Sequence, residues 1–257
     1  MTSIHPQAIV DPAAELDDGT KVGPFAIIEG KVKIGAGSSI GAHAIIASGS
    51  TIGDYCQISP GAVIGTAPQD LKFKNEETFV TIGNHTIVRE YATINRATTH
   101  SYYTRVGDHC LIMAYAHIAH DCHIGNQVVI ANAVNMAGHV IIGDCVGIGG
   151  MTAIHQFIHI GEHCFIGGGL RVSNDVPPYI LAMGEPIKFG GLNKVGLKRR
   201  GFSDQELSLI KKAYKIIYRE NLTVNEAIAK IESTLETTPH IRKIIDFLNE
   251  SERGIVR

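Results

Sequence analysis

An aliphatic residue returns at every sixth position of this chain, beginning at Ile4. The stations run through Val10, Leu16, Val22, Ile28, Ile34, Ile40, Ile46, Ile52, Ile58 and Ile64, and lapse at Asp70 and Glu76. They resume at Ile82, Val88 and Ile94, lapse at His100, and start again at Val106. Ile112, Ile118, Ile124, Ile130, Met136, Ile142, Ile148, Ile154, Ile160 and Ile166 then lead to Val172, so that 26 of 29 stations are Ile, Val, Leu or Met. Six is too long a period for one alternating strand and matches no helical face. It suits three short strands per turn of a coil, with turns of eighteen residues stacked at roughly 4.8 Å.

The other slots of the hexad agree. Gly recurs one residue after the station (Gly23, Gly35, Gly41, Gly53, Gly65, Gly83, Gly107, Gly125, Gly143, Gly161, Gly167), as expected if the corners need unusual dihedrals. Four residues after it stand small or β-branched side chains such as Ala26, Ala62, Ala92, Ala116, Val128 and Val140. Cys56, Cys110, Cys122 and Cys164 share that slot, which makes them small core side chains. Five cysteines without a CxxC pair argue against a disulfide framework and fit a reducing compartment. No signal-peptide pattern opens the chain and no apolar run is long enough for a membrane span, so a cytoplasmic protein is expected, with no nucleic-acid partner.

The period stops near Asn174, where Asp175-Val176-Pro177-Pro178-Tyr179 breaks the strand pattern. Ser203-Asp204-Gln205-Glu206 and Thr223-Val224-Asn225-Glu226 read as capping boxes opening helices, and a third helix is expected from about Pro239. The expected organisation is a parallel β-helix over residues 1–186, with loop insertions near 66–80 and 97–104 at the lapses, and an α-helical domain over 187–257. The tail would cover the open end of the stack. Between Lys188 and Arg219, nine Lys/Arg face two acids, a net of +7 against −9 for the remainder of a chain of net −2. Such a basic face suits an acidic partner or a phosphate-bearing ligand.

Of thirteen histidines seven cluster in one part of the chain: His117, His120, His123, His139, His155, His159 and His163. One coil beyond His120 lies Gly138, beside His139; two coils beyond lies Gln156, beside His155. These residues therefore share one edge of the prism. A histidine there can take a proton from a hydroxyl. Asp121 is a candidate to orient it, although neighbours in a strand point to opposite faces. The Gly138 N–H is a candidate oxyanion donor. With no GxSxG elbow and no convincing cysteine nucleophile, direct transfer fits better than a covalent intermediate.

The hexads resemble the hexapeptide-repeat family, whose members are left-handed parallel β-helices and mostly homotrimers. The left hand comes from that resemblance alone, because parallel crossovers are otherwise nearly always right-handed. Six further motifs are similar, in order and spacing, to those of UDP-N-acetylglucosamine O-acyltransferases: Gln69-Asp70-Leu71-Lys72, Ala116-His117-Ile118-Ala119-His120-Asp121-Cys122, Ala137-Gly138-His139, the segment Gly150 to Phe157, Asp175 to Tyr179, and Gly196 to Phe202. The resemblance implies that His120 is the general base on the sugar 3-hydroxyl and that Gly138 stabilises the oxyanion. It implies that Asp70, Lys72, His117, His139, His155 and Gln156 contact the sugar nucleotide or the acyl chain. Asn193, Arg199 and Arg200 would hold the nucleotide from a neighbouring subunit, and Gly168 would sit at the position that measures acyl length. Val195 departs from the Glu that some members carry. The implied partners are an acyl carrier protein bearing a 3-hydroxyacyl chain, which the basic face would dock, and UDP-N-acetylglucosamine. No metal or other cofactor is implied. A 3-amino acceptor sugar stays open, and so does a zinc hydratase of the same fold, using His117 and His123.

Overall fold

The computed structural model describes residues 1–257. Strands mostly two residues long wind around three parallel sheets of eleven, nine and eight strands, and each regular strand pairs with the one a full turn later. The chain is a left-handed parallel β-helix, triangular in section. The eleven-stranded sheet is the first face, the nine-stranded the second and the eight-stranded the third. Register keeps the stations stacked, with Ile58 on Ile40, Ile118 on Met136 and Ile124 on Ile142. Each strand therefore sends one aliphatic side chain inward, and Ile46, Ile64, Ile118 and Ile130 are completely buried. Full burial of one such side chain contributes about 1.5–3 kcal/mol, so the column is the main source of stability.

The corners differ from expectation in an instructive way. The backbone enters the left-handed region three residues after the station, at Phe25, His43, Tyr55, Tyr91, Tyr115, Asp121, His139 and Phe157, with φ between 54° and 62°. The glycines one residue after the station have ordinary dihedrals, Gly65 at φ 84° excepted, and their reason is contact. A Cβ on Gly35 would lie 2.6 Å from the backbone of Gly53, and one on Gly107 would lie 2.6 Å from that of Gly125. Left-handed φ costs a non-glycine residue roughly 1–2 kcal/mol. Rings stacked up each edge offset part of that cost, as in Tyr91–Tyr115 at 5.5 Å, His85–His109 at 4.8 Å and His139–Phe157 at 4.4 Å.

The chain leaves the coil twice on the edge joining the second and third faces, between Thr66 and Phe79 and between Asn95 and Tyr103. After the last coil, strands Ile180–Met183 and Lys188–Leu192 add an antiparallel hairpin to the first face. Helices follow at Lys194–Arg199 (α1), Asp204–Arg219 (α2), Val224–Thr234 (α3) and Pro239–Glu250 (α4), with both capping boxes formed. Their apolar faces, including Ile210, Ile231 and Ile244, join Val172, Val176 and Tyr179 in one continuous core. At the other end Ile4 and Ile9 remain exposed.

Candidate active site

His120 and Asp121 are consecutive corner residues on the second/third edge, not strand residues, so strand alternation does not separate them. The positive φ of Asp121 turns its carboxylate back toward its neighbour, and His120 Nδ1 lies 2.7 Å from Asp121 Oδ2. The Asp121 side chain is fully buried, while His120 stays 14% exposed. Burial pushes the Asp121 carboxyl up, but hydrogen bonds from His120, Ser101 and Thr98 outweigh it and hold the group well below the usual carboxylate range. A carboxylate so held adds stability at neutral pH and loses it only in strong acid, as the pH falls through its depressed value. Because an ionised carboxylate only accepts, Nδ1 of the His120 ring must donate. In the neutral ring Nε2 is then an acceptor, the tautomer a general base needs.

One coil on, Gly138 lies flat against that ring. A Cβ on it would fall 2.6 Å from His120 Cε1 and 2.8 Å from Nε2. On the third/first edge the equivalent amides are capped by a column of side chains, with Ala36 N–H donating to Asp54, Asp54 to Asn84, Asn84 to Asp108 and Asp108 to Asn126. The buried Gly138 N–H has no such acceptor. A free donor beside the Nε2 side of the ring is what a developing oxyanion requires.

Other residues complete the edge. His139 stacks on Phe157, sits edge-on to His120 with centroids 5.0 Å apart, and carries His100 edge-on at 4.6 Å. Burial lowers the His139 imidazole, against the pull of the Asp121 carboxylate, and its Nδ1 has no partner. Burial lowers His117 too, helped by His120, and its Nδ1 lies 2.7 Å from Thr93 Oγ1. His155 and Gln156 are exposed, two coils beyond His120. Asp70 and Lys72 belong to the loop after Thr66, where Asp70 Oδ1 caps the Lys72 N–H at 2.9 Å and leaves the lysine side chain exposed. Arg96, 5.4 Å over the Phe73 ring, ties that loop to the edge.

Four expected residues lie elsewhere in the chain. Asn193, Arg199 and Arg200, with the exposed Val195, line a cavity of about 850 Å³ on the first face. Asn193 donates to His163 O and Arg200 to Gln127 Oε1. Gly168 is a first/second-edge corner, and its missing side chain would approach Gly150 O to 3.1 Å. In a triangular prism the first face is opposite the second/third edge, so one chain does not bring these residues to His120.

Zinc through His117 and His123 gains nothing from the geometry: His117 faces Thr93, whereas His123 is on another face, 3.1 Å from Tyr103 O. The group with metal-ligand separations is His120, Asp121 and His139, and both Asp121 oxygens already accept protein donors. The cysteines are not nucleophiles of this site. Cys56, Cys110, Cys122 and Cys164 are buried, and burial pushes the Cys122 thiol up to about 12.

Residues 175–256 match the family described as Udp N-acetylglucosamine O-acyltransferase, domain 2, and residues 13–48, 31–66 and 103–138 match the bacterial transferase hexapeptide repeat. The acyl-[acyl-carrier-protein]–UDP-N-acetylglucosamine O-acyltransferase of Thiobacillus denitrificans is 45% identical over 258 residues, covering 100% of both chains. The chain belongs to the UDP-N-acetylglucosamine O-acyltransferases. The corresponding protein of a Janthinobacterium strain is 44% identical over 100% of both chains. The solved UDP-N-acetylglucosamine acyltransferase of Bacteroides fragilis superposes with a TM-score of 0.96 at 43% identity, covering 99% of this chain and 100% of that one. As a member of this family of acyltransferases, the chain shares its fold along the whole length, from the first coil to α4.

Thr98, His100 and Ser101 lie in the expected insertion at 97–104 and Phe157 closes the Gly150-to-Phe157 motif, but none of the four is among the expected site residues, though all four touch the dyad or His139. The lapse in the period at His100, in a Thr/Ser-rich run one turn before His120, was the available signal.

Proposed function

We propose that this chain moves a 3-hydroxyacyl group from acyl carrier protein to the 3-hydroxyl of UDP-N-acetylglucosamine, the first step of lipid A synthesis. The observation that carries the reading is the His120–Asp121 pair, with an accepting Nε2 beside the uncapped Gly138 N–H. His120 Nε2 takes the proton of the sugar hydroxyl as its oxygen attacks the thioester carbonyl. The oxyanion forms against the Gly138 N–H. Collapse breaks the C–S bond, and the imidazolium returns the proton to the departing thiolate, leaving an ester and free carrier thiol. His117, His139, His155, Gln156, Asp70 and Lys72 contact the two substrates along the same edge. Incubating the protein with 3-hydroxyacyl carrier protein and UDP-N-acetylglucosamine tests the reading; no ester with any acyl length sinks it, and transfer only to the 3-amino sugar replaces it with amide formation. Gly168 leaves room for a long chain.

The complete site lies between copies in a homotrimer, His120 on one and Asn193, Arg199 and Arg200 on the next, because these groups occupy opposite sides of one prism. A first-face cavity rich in cations suits the diphosphate. Co-refolding His120→Ala with Arg200→Ala then restores about a quarter of wild-type sites from two nearly inactive proteins, since random assembly pairs the intact halves at that frequency. Activity no higher than the sum of the two places the site within one chain.

The carrier protein docks on α2. Lys194, Lys211, Lys212, Lys215 and Arg219 converge on a groove of about 710 Å³ between α2 and the strand before α1. Reversing Lys211, Lys212 and Lys215 to Glu is expected to raise KM for the acyl carrier protein tenfold or more and to flatten its salt dependence, with KM for the sugar nucleotide unchanged. An unchanged carrier KM removes α2 as the docking surface.

A further inference from the structure

The segment between Asn95 and Tyr103 bulges from the coil one turn before the dyad and folds back over the Asp121 carboxylate. It delivers four donor groups. The Thr98 N–H is shared between Oδ1 and Oδ2 at 3.2 Å each, and Thr98 Oγ1 lies 2.8 Å from Oδ2. The Ser101 N–H reaches Oδ1 at 3.1 Å and Ser101 Oγ at 2.6 Å. The hydroxyl protons have little choice. Thr98 Oγ1 already accepts the His100 N–H, so its own proton points to the carboxylate. Ser101 Oγ is also 3.0 Å from Tyr103 O, but the charged oxygen is the nearer and stronger acceptor. The Asp121 N–H, meanwhile, is anchored on Thr104 Oγ1 at 2.9 Å.

We infer that Thr98 and Ser101 are positioning residues for acyl transfer: they clamp the Asp121 carboxylate so that one oxygen is left aimed at His120 Nδ1. The inference rests on His120 acting as the base. A buried carboxylate with two lone pairs on each oxygen rotates or draws in other donors unless its remaining sites are filled. With Oδ1 taken by Ser101 and Oδ2 by Thr98, the imidazole occupies the remaining direction. The clamp also spreads the carboxylate charge over several donors, which limits how firmly the pair as a unit holds an extra proton. The other ionisable groups facing the pair are His117 on its own coil, His139 on the next, His100 from the bulge and Asp70 from the longer loop. None of these donates to the carboxylate within hydrogen-bond reach; the nearest, His139 Nε2, is 4.0 Å away.

The double variant Thr98→Val/Ser101→Ala removes both hydroxyls and keeps both backbone donors. Its kcat is expected to fall by on the order of 10–100-fold through misalignment of the base, with KM for both substrates within about twofold. The acid limb of its kcat/KM profile is expected to move to higher pH, because the carboxylate charge now concentrates on the imidazole. Thr98→Ser/Ser101→Thr, which keeps both hydroxyls, is expected to restore the rate and the limb. A folded double variant with the wild-type rate and pH profile overturns the clamp. So does a variant whose rate falls together with its thermal midpoint while the acid limb stays in place, because that marks a merely structural loop. Failure of the wild type itself to transfer an acyl group strikes instead at the proposed reaction.

Discussion

Replacing His120 by alanine is expected to lower kcat by on the order of 10²–10⁴-fold while leaving the fold intact. The side chain is removed from a partly exposed corner, so no core methylene is lost. Asp121 keeps its donors from Thr98 and Ser101 when the imidazole goes, so no unpaired buried charge is created. The thermal midpoint should therefore stay within a few degrees of wild type. Because the proton moves only as the hydroxyl attacks, the interaction belongs to the transition state, and KM for either substrate changes little. Steady-state kinetics with both substrates varied decides the matter. An unchanged kcat with a raised KM for the sugar nucleotide makes His120 a binding contact and removes it as the base.

The fold was legible because the prism repeats one physical demand. Each strand must send a single aliphatic inward, so Ile46, Ile64, Ile118 and Ile130 declare the coil without reference to anything distant in sequence. The glycines were read as glycines but for the wrong reason. Their cause is the backbone of the next coil, eighteen or more residues away, which no local dihedral argument contains. The same limit governed the site. Arithmetic on the eighteen-residue turn put His120, Gly138 and His139 together, since stacking is periodic. It marks the insertion at 97–104 but not where that loop folds, because Thr98 and Ser101 are off the period, and strand alternation applied at a corner makes Asp121 look misdirected. Asn193, Arg199 and Arg200 were legible only through the likeness to a family, because the tail has no period to place them on the first face.

Gly138→Ala separates what a glycine does for chemistry from what it does for folding. At Gly125, in the slot just after a station, a methyl would meet the backbone of Gly143 at 2.9 Å, which cannot yield without parting two coils. Alanine there is expected to destabilise the protein by about 1–3 kcal/mol, as overpacking does. At Gly138 the nearest atoms are all in the His120 ring, at 2.6 to 3.1 Å, and the backbone is outside the left-handed region. The coil therefore accepts the methyl and the imidazole moves. A displaced ring loses its line to Asp121 and its Nε2 leaves the hydroxyl, while the methyl crowds the approach to the Gly138 N–H. The expected loss in kcat is on the order of 10²–10³-fold, the range for removing one oxyanion donor, with the thermal midpoint close to wild type. Unfolding and initial-rate measurements on both alanine variants test the contrast. A Gly138→Ala enzyme with wild-type turnover means that neither the ring position nor the amide matters to the rate, and the His120–Gly138 site is then not the place where the acyl group is transferred.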